Sequence, residues 1–174
     1  MKDLLLFRHA KAKPVLPGQE DRERRLSGRG RDAALAMATW MRDAGWNPGL
    51  VLFSTATRTR QTAAIALMVL PAARLVGEDA LYLADMQALR ARVADIDPAV
   101  DAAMIVGHNP GLEDLARSMI PLRPRADAAA ALGMATGAIA WFRSPARDWH
   151  DFLAAGPVLV SAMSPDRLPG KTAR

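Results

Sequence analysis

The sequence contains no cysteine among its 174 residues, and this absence excludes several kinds of chemistry. Disulfides, a thiol nucleophile and thiolate zinc sites all need a cysteine sulfur, and a chain without cysteine is consistent with a reducing compartment. Aromatic residues are also scarce, at 5%, and they are not interleaved with the arginines. A stacking platform for single-stranded nucleic acid is therefore not indicated.

Long apolar runs are missing as well. No run approaches the roughly 18 residues that a membrane-spanning helix needs. The first nine residues contain one lysine and an apolar run of only four residues, 4–7. A secretory signal needs a longer apolar stretch and a small-residue cleavage site. We therefore expect a cytoplasmic protein that does not enter a membrane.

The residues that are present describe an ordinary folded domain with a basic balance. The chain is 51% apolar and 24% charged, and its formal net charge is +5, most of it on arginine. Such a balance indicates either an anionic partner or a solvated basic surface. No helix-turn-helix, zinc-finger or RNA-binding sheet signature is present, so we expect no nucleic-acid partner.

Short apolar runs alternate with stretches of helical periodicity along the chain. The predicted strands are residues 3–9, 50–53, 74–76, 102–106, 137–142 and 157–161, with 149–153 as a candidate for another. The predicted helices are residues 27–44 with Ser27 as cap, 56–68, a helix capped by Asp85, and 109–119 with Asn109 as cap. This order predicts an α/β fold, a three-layer α/β/α sandwich with a mainly parallel central sheet. We expect one domain over residues 1–168 and a flexible tail over 169–174.

Basic side chains follow three of the predicted strands. Arg8 and His9 end the first, Arg58 follows the second, and His108 ends the fourth. Ligands bind at the carboxyl ends of parallel strands, so these groups are expected to converge. Phosphate would offset their repulsion, and the helix start at Asn109 would add backbone N–H groups.

Other assignments of these residues are weighed beside that one. Each histidine alone could be structural and each arginine alone a surface charge. A metal site is disfavoured because neighbouring arginines repel a cation, so we expect no metal and no cofactor. Arg60 and His150 are expected to be exposed and to take no part in the site.

Three motifs, in order and at matching spacing, resemble those of the histidine phosphatase superfamily. They are residues 5–10 around Arg8-His9, residues 54–63 from Ser54 through Arg58 to Gln-Thr, and residues 106–111 around His108. Ala10 stands where that family usually has glycine. Further residues resemble the SixA-type phosphohistidine phosphatases of that superfamily: Asp21, Arg24, Leu26, Gly30, Ala34 and the segments 81–84 and 164–168. The whole likeness runs over residues 3–168.

The resemblance implies an activity and a mechanism. His9 would attack phosphorus and become transiently phosphorylated, Arg8, Arg58 and His108 would hold the phosphoryl oxygens, and water would release phosphate. The sequence leaves open which ring nitrogen of His9 attacks. The substrate implied is a phosphohistidine on another protein, such as a phosphotransfer domain, and the oligomeric state is left open.

Two features favour that substrate over a phosphate ester. The family's general acid is a carboxylate soon after Leu81, where this chain has Tyr82 and Leu83, and imidazole leaves phosphorus without one. The chain also has room for only one helix between Leu81 and Met104, whereas family members acting on small metabolites tend to carry a helical lid. A cluster of arginines is expected to dock the protein substrate; its members are Arg22, Arg24, Arg25, Arg29 and Arg31. The alternatives are a small-molecule phosphomonoesterase using the same pocket, and a non-catalytic module that binds anions or a partner.

Overall fold

The structure, a computed structural model, describes residues 1–70, 73–120 and 133–168. The strands are β1 (Lys2–Arg8), β2 (Leu50–Ser54), β3 (Arg74–Glu78), β4 (Ala102–Gly107), β5 (Ile139–Ser144) and β6 (Val158–Met163). The helices are α1 (Gly28–Asp43), α2 (Thr57–Leu67), α3 (Met86–Ala94) and α4 (Gly111–Ser118). Two single 3₁₀ turns, Asp21–Glu23 and Asp79–Leu81, lie in the connections.

The six strands form one sheet in the order β3-β2-β4-β1-β5-β6. The first four are mutually parallel, β5 runs antiparallel to β1, and β6 runs antiparallel to β5. The prediction of an α/β fold with a mainly parallel sheet is confirmed. β4 lies between β1 and β2, so the carboxyl ends of three strands meet at one edge.

The middle residues of the central strands are apolar because both faces of the sheet are covered. On one face Leu4 and Leu6 of β1 pack in a cluster with residues of α3 and α4. On the other face Leu5 and Phe7 pack in a cluster with residues of α1 and α2. Alternate residues of one strand thus enter separate cores, which is the three-layer arrangement expected from the sequence.

The caps of two helices follow the sequence, and the cap of a third does not. The Ser27 side chain accepts a hydrogen bond from Gly30 N–H, and the Asp85 side chain accepts one from Ala88 N–H. Asn109, in contrast, is not the cap of α4: the N-cap residue is Pro110, and the helix begins at Gly111. The Asn109 amide instead bonds other side-chain and backbone acceptors.

One predicted strand is wrong. Residues 149–153 form turns, in which Trp149 and Phe152 are buried with their rings stacked at 5.3 Å between centroids. Their three-residue spacing suits a turn that buries two aromatic rings, because a strand would direct them to opposite faces.

Two other expectations concern the chain as a whole. The assignment of residues 1–168 to a single domain stays a prediction, and residues 169–174 lie outside the described ranges. Within those ranges, no helix has the length and apolar character needed to cross a membrane.

Candidate active site

The two motif histidines lie side by side because β1 and β4 pair in parallel. Arg8 and Gly107 are register partners, so the next residue on each strand is a histidine, and His9 N–H bonds the Gly107 carbonyl at 3.1 Å. The ring centroids of His9 and His108 are 5.2 Å apart, with 61° between the ring planes. Arg58, in the first turn of α2, contacts both rings.

The contacts of His9 define its tautomer. Its Nδ1 lies 2.9 Å from the Ala10 carbonyl oxygen, which can only accept, so Nδ1 carries the proton. Its Nε2 is then the nitrogen with the lone pair, and Arg58 Nε donates to it at 3.2 Å. Burial lowers the pKa of His9 to about 4, the Ala10 carbonyl opposes this, and the charges of Arg58 and Arg8 add to the lowering. His9 is therefore neutral at pH 7 and presents Nε2 as a nucleophile.

His108 is also neutral and is held from both sides. Arg58 Nη2 lies 3.3 Å from Nδ1, and because a guanidinium can only donate, Nδ1 is an acceptor. Its Nε2–H then donates to Ser54 Oγ at 2.8 Å. Burial lowers the pKa of His108 to about 3, with further contributions from His9 and Arg58. Ser54, at the end of β2, thus orients the second imidazole.

A carboxylate that the sequence reasoning did not place in the site neutralises Arg58. The guanidinium is buried and donates to Asp21 twice, from Nη1 to the backbone carbonyl at 2.7 Å and from Nη2 to Oδ2 at 2.8 Å. Arg24 donates to Oδ1 and the Tyr82 hydroxyl to Oδ2, both at 2.9 Å. Partial burial opposes ionisation of Asp21, but the hydrogen bonds from Arg24, Tyr82 and Arg58 hold its pKa well below its usual range.

The remaining basic group, Arg8, is half-buried beside the histidines. Its Nη1 donates to the Met134 carbonyl at 2.8 Å, and its Nε is buried with no hydrogen-bond partner in the described ranges. Burial lowers its pKa, and the charge of Glu113 opposes that effect. Arg8 therefore has one buried donor that no residue in the described ranges uses.

Asn109 is placed beside the site, but its amide hydrogens are engaged. Nδ2 donates to Glu113 Oε2 at 2.8 Å and to the Met134 carbonyl at 3.2 Å. The backbone N–H groups at the start of α4 are expected from the sequence to bind an anion. One of them, Leu112 N–H, already donates to the His108 carbonyl at 3.1 Å. A phosphate-binding role for Asn109 stays a prediction.

Arg60 and His150 are exposed, as the sequence predicts. Arg60 is exposed on α2. The His150 side chain is 86% exposed, in a turn, and lies against Asp151. In the described part of the chain, no three His, Asp or Glu side chains come together as metal ligands would.

These contacts define what the site can do chemically. An unprotonated imidazole nitrogen lies next to the Arg58 guanidinium and a second neutral imidazole, and the charge of Arg8 acts on both rings. Guanidinium groups match the oxygens of a tetrahedral anion with charge-assisted hydrogen bonds. The arrangement can therefore hold a phosphoryl group and present it to a nitrogen nucleophile.

Solved structures with this fold show which proteins the chain is similar to. One, assigned as the phosphohistidine phosphatase SixA from Nakamurella multipartitia, has a TM-score of 0.83 and 26% identity, covering 94% of this chain and 96% of that one. Another, assigned as SixA from Agrobacterium tumefaciens, has a TM-score of 0.79 and 28% identity over 94% and 97%. A protein histidine phosphatase SixA complexed with tungstate has a TM-score of 0.75 and 20% identity over 94% and 97%. No protein-family model matches the sequence, and a search of curated proteins gives no match.

The fold is that of the histidine phosphatase superfamily. Within that superfamily the structural neighbours of this chain are SixA-type phosphohistidine phosphatases, with other members further away. The recognition made from the three sequence motifs is confirmed, and the neighbours support a phosphatase function.

Proposed function

We propose that the protein removes phosphate from a phosphorylated histidine on another protein, through a covalent phospho-His9 intermediate. The observation that carries the proposal is the state of the His9 ring. Its Nδ1–H is bonded to the Ala10 carbonyl, and its Nε2 lone pair lies against Arg58. A nucleophilic imidazole divides one difficult phosphoryl transfer into two easier steps.

In the first step, the Nε2 lone pair forms a bond to phosphorus while the bond from phosphorus to the substrate's imidazole breaks. Arg58 and Arg8 stabilise the negative charge on the transferring oxygens. His108 joins them once Nδ1 is protonated, and a bound dianion favours that protonation because opposite charges stabilise each other. In the second step, water attacks phospho-His9, the P–N bond breaks, and phosphate leaves with Nε2 unprotonated again.

The available proton donors favour a phosphoramidate over a phosphate ester. Asp21 is ionised and accepts from Arg24, Arg58 and Tyr82, so it has no proton to give. Burial and the adjacent Asp21 raise the pKa of Tyr82, which makes its hydroxyl a poor acid. A substrate imidazole takes its proton from solvent near its ordinary pKa of about 6.5, whereas an alkoxide needs an acid in the site.

The surroundings of the site support a protein substrate. Between the 3₁₀ turn Asp79–Leu81 and β4, the structure contains one helix, α3, whose Leu89 and Val93 are buried in the core on the α4 side of the sheet. That segment therefore supplies no helical lid over the histidines, which suits a phosphohistidine carried on a phosphotransfer domain.

The contacts narrow the docking surface expected from the sequence. Arg22 pairs with Asp79, and Arg24 with Asp21, so both are committed to the protein's own carboxylates. Arg25 is exposed and, together with Arg60, lines a groove of about 590 Å³ beside α2. Arg29 and Arg31 are also exposed, so the proposed docking charges are Arg25, Arg29 and Arg31.

The test compares initial rates on four substrates: a histidine-phosphorylated phosphotransfer domain, phosphoimidazole, an aryl phosphate and a sugar phosphate. We expect the two phosphoramidates to react faster than the sugar phosphate, and acid-labile phosphate to be trapped on His9. His9→Ala should abolish turnover, while His150→Ala, a change at an exposed histidine, should not affect it. Preference for the sugar phosphate would favour a small-molecule phosphatase, and failure to form a phosphoenzyme with any substrate would indicate a binding module.

A further inference from the structure

The Arg58 guanidinium is held along one edge and directed to the histidines by the other. Its Nη1 and Nη2 donate to the carbonyl and carboxylate of Asp21, at 2.7 and 2.8 Å. Its Nε donates to His9 Nε2 at 3.2 Å, and Nη2 also lies 3.3 Å from His108 Nδ1. Turning the planar group would break both contacts with Asp21, so Asp21 determines which donors face the reacting nitrogen.

Asp21 is itself fixed from the opposite side. Tyr82 donates to the same oxygen that accepts from Arg58, and Arg24 donates to the other. The Tyr82 ring lies edge-on to His108 at 5.5 Å, and the Arg22 guanidinium lies over the Tyr82 ring at 4.9 Å. A continuous series of contacts therefore runs from Tyr82 through Asp21 to Arg58.

The balance of charge gives Asp21 a second effect on Arg58. The Arg58 side chain is only 4% exposed, and Asp21 is the carboxylate that pairs with it in the described ranges. A buried guanidinium without a carboxylate is costly and tends to move toward solvent or another acceptor. Asp21 thus keeps the charge of Arg58 at the site before any phosphoryl group arrives.

We infer that Asp21 is a positioning residue that aligns Arg58 with the phosphoryl group on His9, and that Tyr82 keeps Asp21 in place. The inference rests on the proposed function of the site. When a phosphoryl group binds, Arg58 Nε and Nη2 donate to its oxygens in place of the ring nitrogens, and Asp21 retains its contacts. Because alignment matters most while phosphorus is being transferred, loss of Asp21 should lower kcat more than it raises KM.

The test is Asp21→Asn, with Asp79→Asn as its matched control. Asp79 is 77% exposed and pairs with Arg22 rather than Arg58, so the control makes the same change of charge close to the site. We expect Asp21→Asn to lower kcat on phosphoimidazole at least tenfold with less than a threefold change in KM, and Asp79→Asn to change kcat less than twofold. Tyr82→Phe should give an intermediate loss of kcat.

A double-mutant cycle separates positioning from general destabilisation. In an Arg58→Lys background, Asp21→Asn should change kcat less than twofold, because the group that it aligns is absent. Equal losses in both backgrounds, or no loss in the single variant, would overturn the inference. A wild-type protein with no activity on any of the four substrates would instead contradict the proposed function. Side-chain NMR of Arg58 tests the positioning role of Asp21 directly. In the wild type the Nη–H groups of a held Arg58 should give separate signals, and these signals should merge in Asp21→Asn. Signals that stay separate in Asp21→Asn would refute the positioning role.

Discussion

Acid should destabilise the unliganded protein because its fold keeps His108 neutral. Burial lowers the pKa of His108 to about 3 in the folded chain, and the ordinary value in an unfolded chain is about 6.5. As the pH falls below about 6.5, the unfolded chain gains a proton that the folded chain does not, so the free energy of unfolding decreases. Integrated from pH 7 to pH 5, this difference is about 2 kcal/mol for His108. His9, with a pKa of about 4, lowers stability in the same direction.

The assay is urea denaturation at pH 7, 6 and 5, an interval in which ordinary carboxylates contribute little. His108→Asn will change the stability at every pH, so the informative quantity is the slope against pH. That slope should fall by about half in His108→Asn and stay unchanged in His150→Asn, whose histidine is exposed in the wild type. Equal slopes for wild type and His108→Asn would show that the fold does not hold His108 neutral, and the description of the site would be wrong.

Two further predictions concern Leu83, which follows Tyr82 in the chain, and the packing of Gly111 at the start of α4. Leu83 has a φ of 50° and is 53% exposed. Leu83→Asn should leave the melting temperature and the turnover of phosphoimidazole unchanged, because asparagine tolerates this backbone conformation. The same substitution should slow the turnover of a phosphorylated protein about fivefold. Met68→Asn, at the far end of α2, is the control, and equal loss on both substrates would contradict a docking role. In Gly111→Ala the new Cβ would lie 2.0 Å from the Ala84 carbonyl oxygen, so urea denaturation should show a loss of about 1–3 kcal/mol, whereas Gly28→Ala, which meets open space, should show none.

The parts of the site that the sequence predicted are those delivered by strands. His9 and His108 follow apolar runs that could only be buried strands, and parallel pairing then brings their ends to one edge. Arg58 follows by the same reasoning from β2 and α2. The geometry of the sheet, which short-range patterns reveal, is enough to bring these three side chains together.

Asp21 and Tyr82 could not be found in that way. Asp21 lies in a connection between β1 and α1 with charged neighbours on both sides, and apart from the resemblance to SixA-type proteins nothing in its local pattern distinguishes it from a solvated acid. Tyr82 marks the place of a missing carboxylate, but its contact with Asp21 depends on the path of two loops. Loop paths are set by tertiary packing, which a single sequence does not display.

The place of β4 in the sheet determines when the site can exist during synthesis. The imidazoles of His9 and His108 follow strands that are neighbours in space, yet all of α1, β2, α2, β3 and α3 is made between them. β4 separates β1 from β2 in the sheet, so β2 has only β3 to pair with, and β1 has no parallel partner, until β4 leaves the ribosome. A growing or truncated chain that ends before β4 therefore carries His9 and Arg58 without a site, and phosphatase activity is expected only after this late insertion.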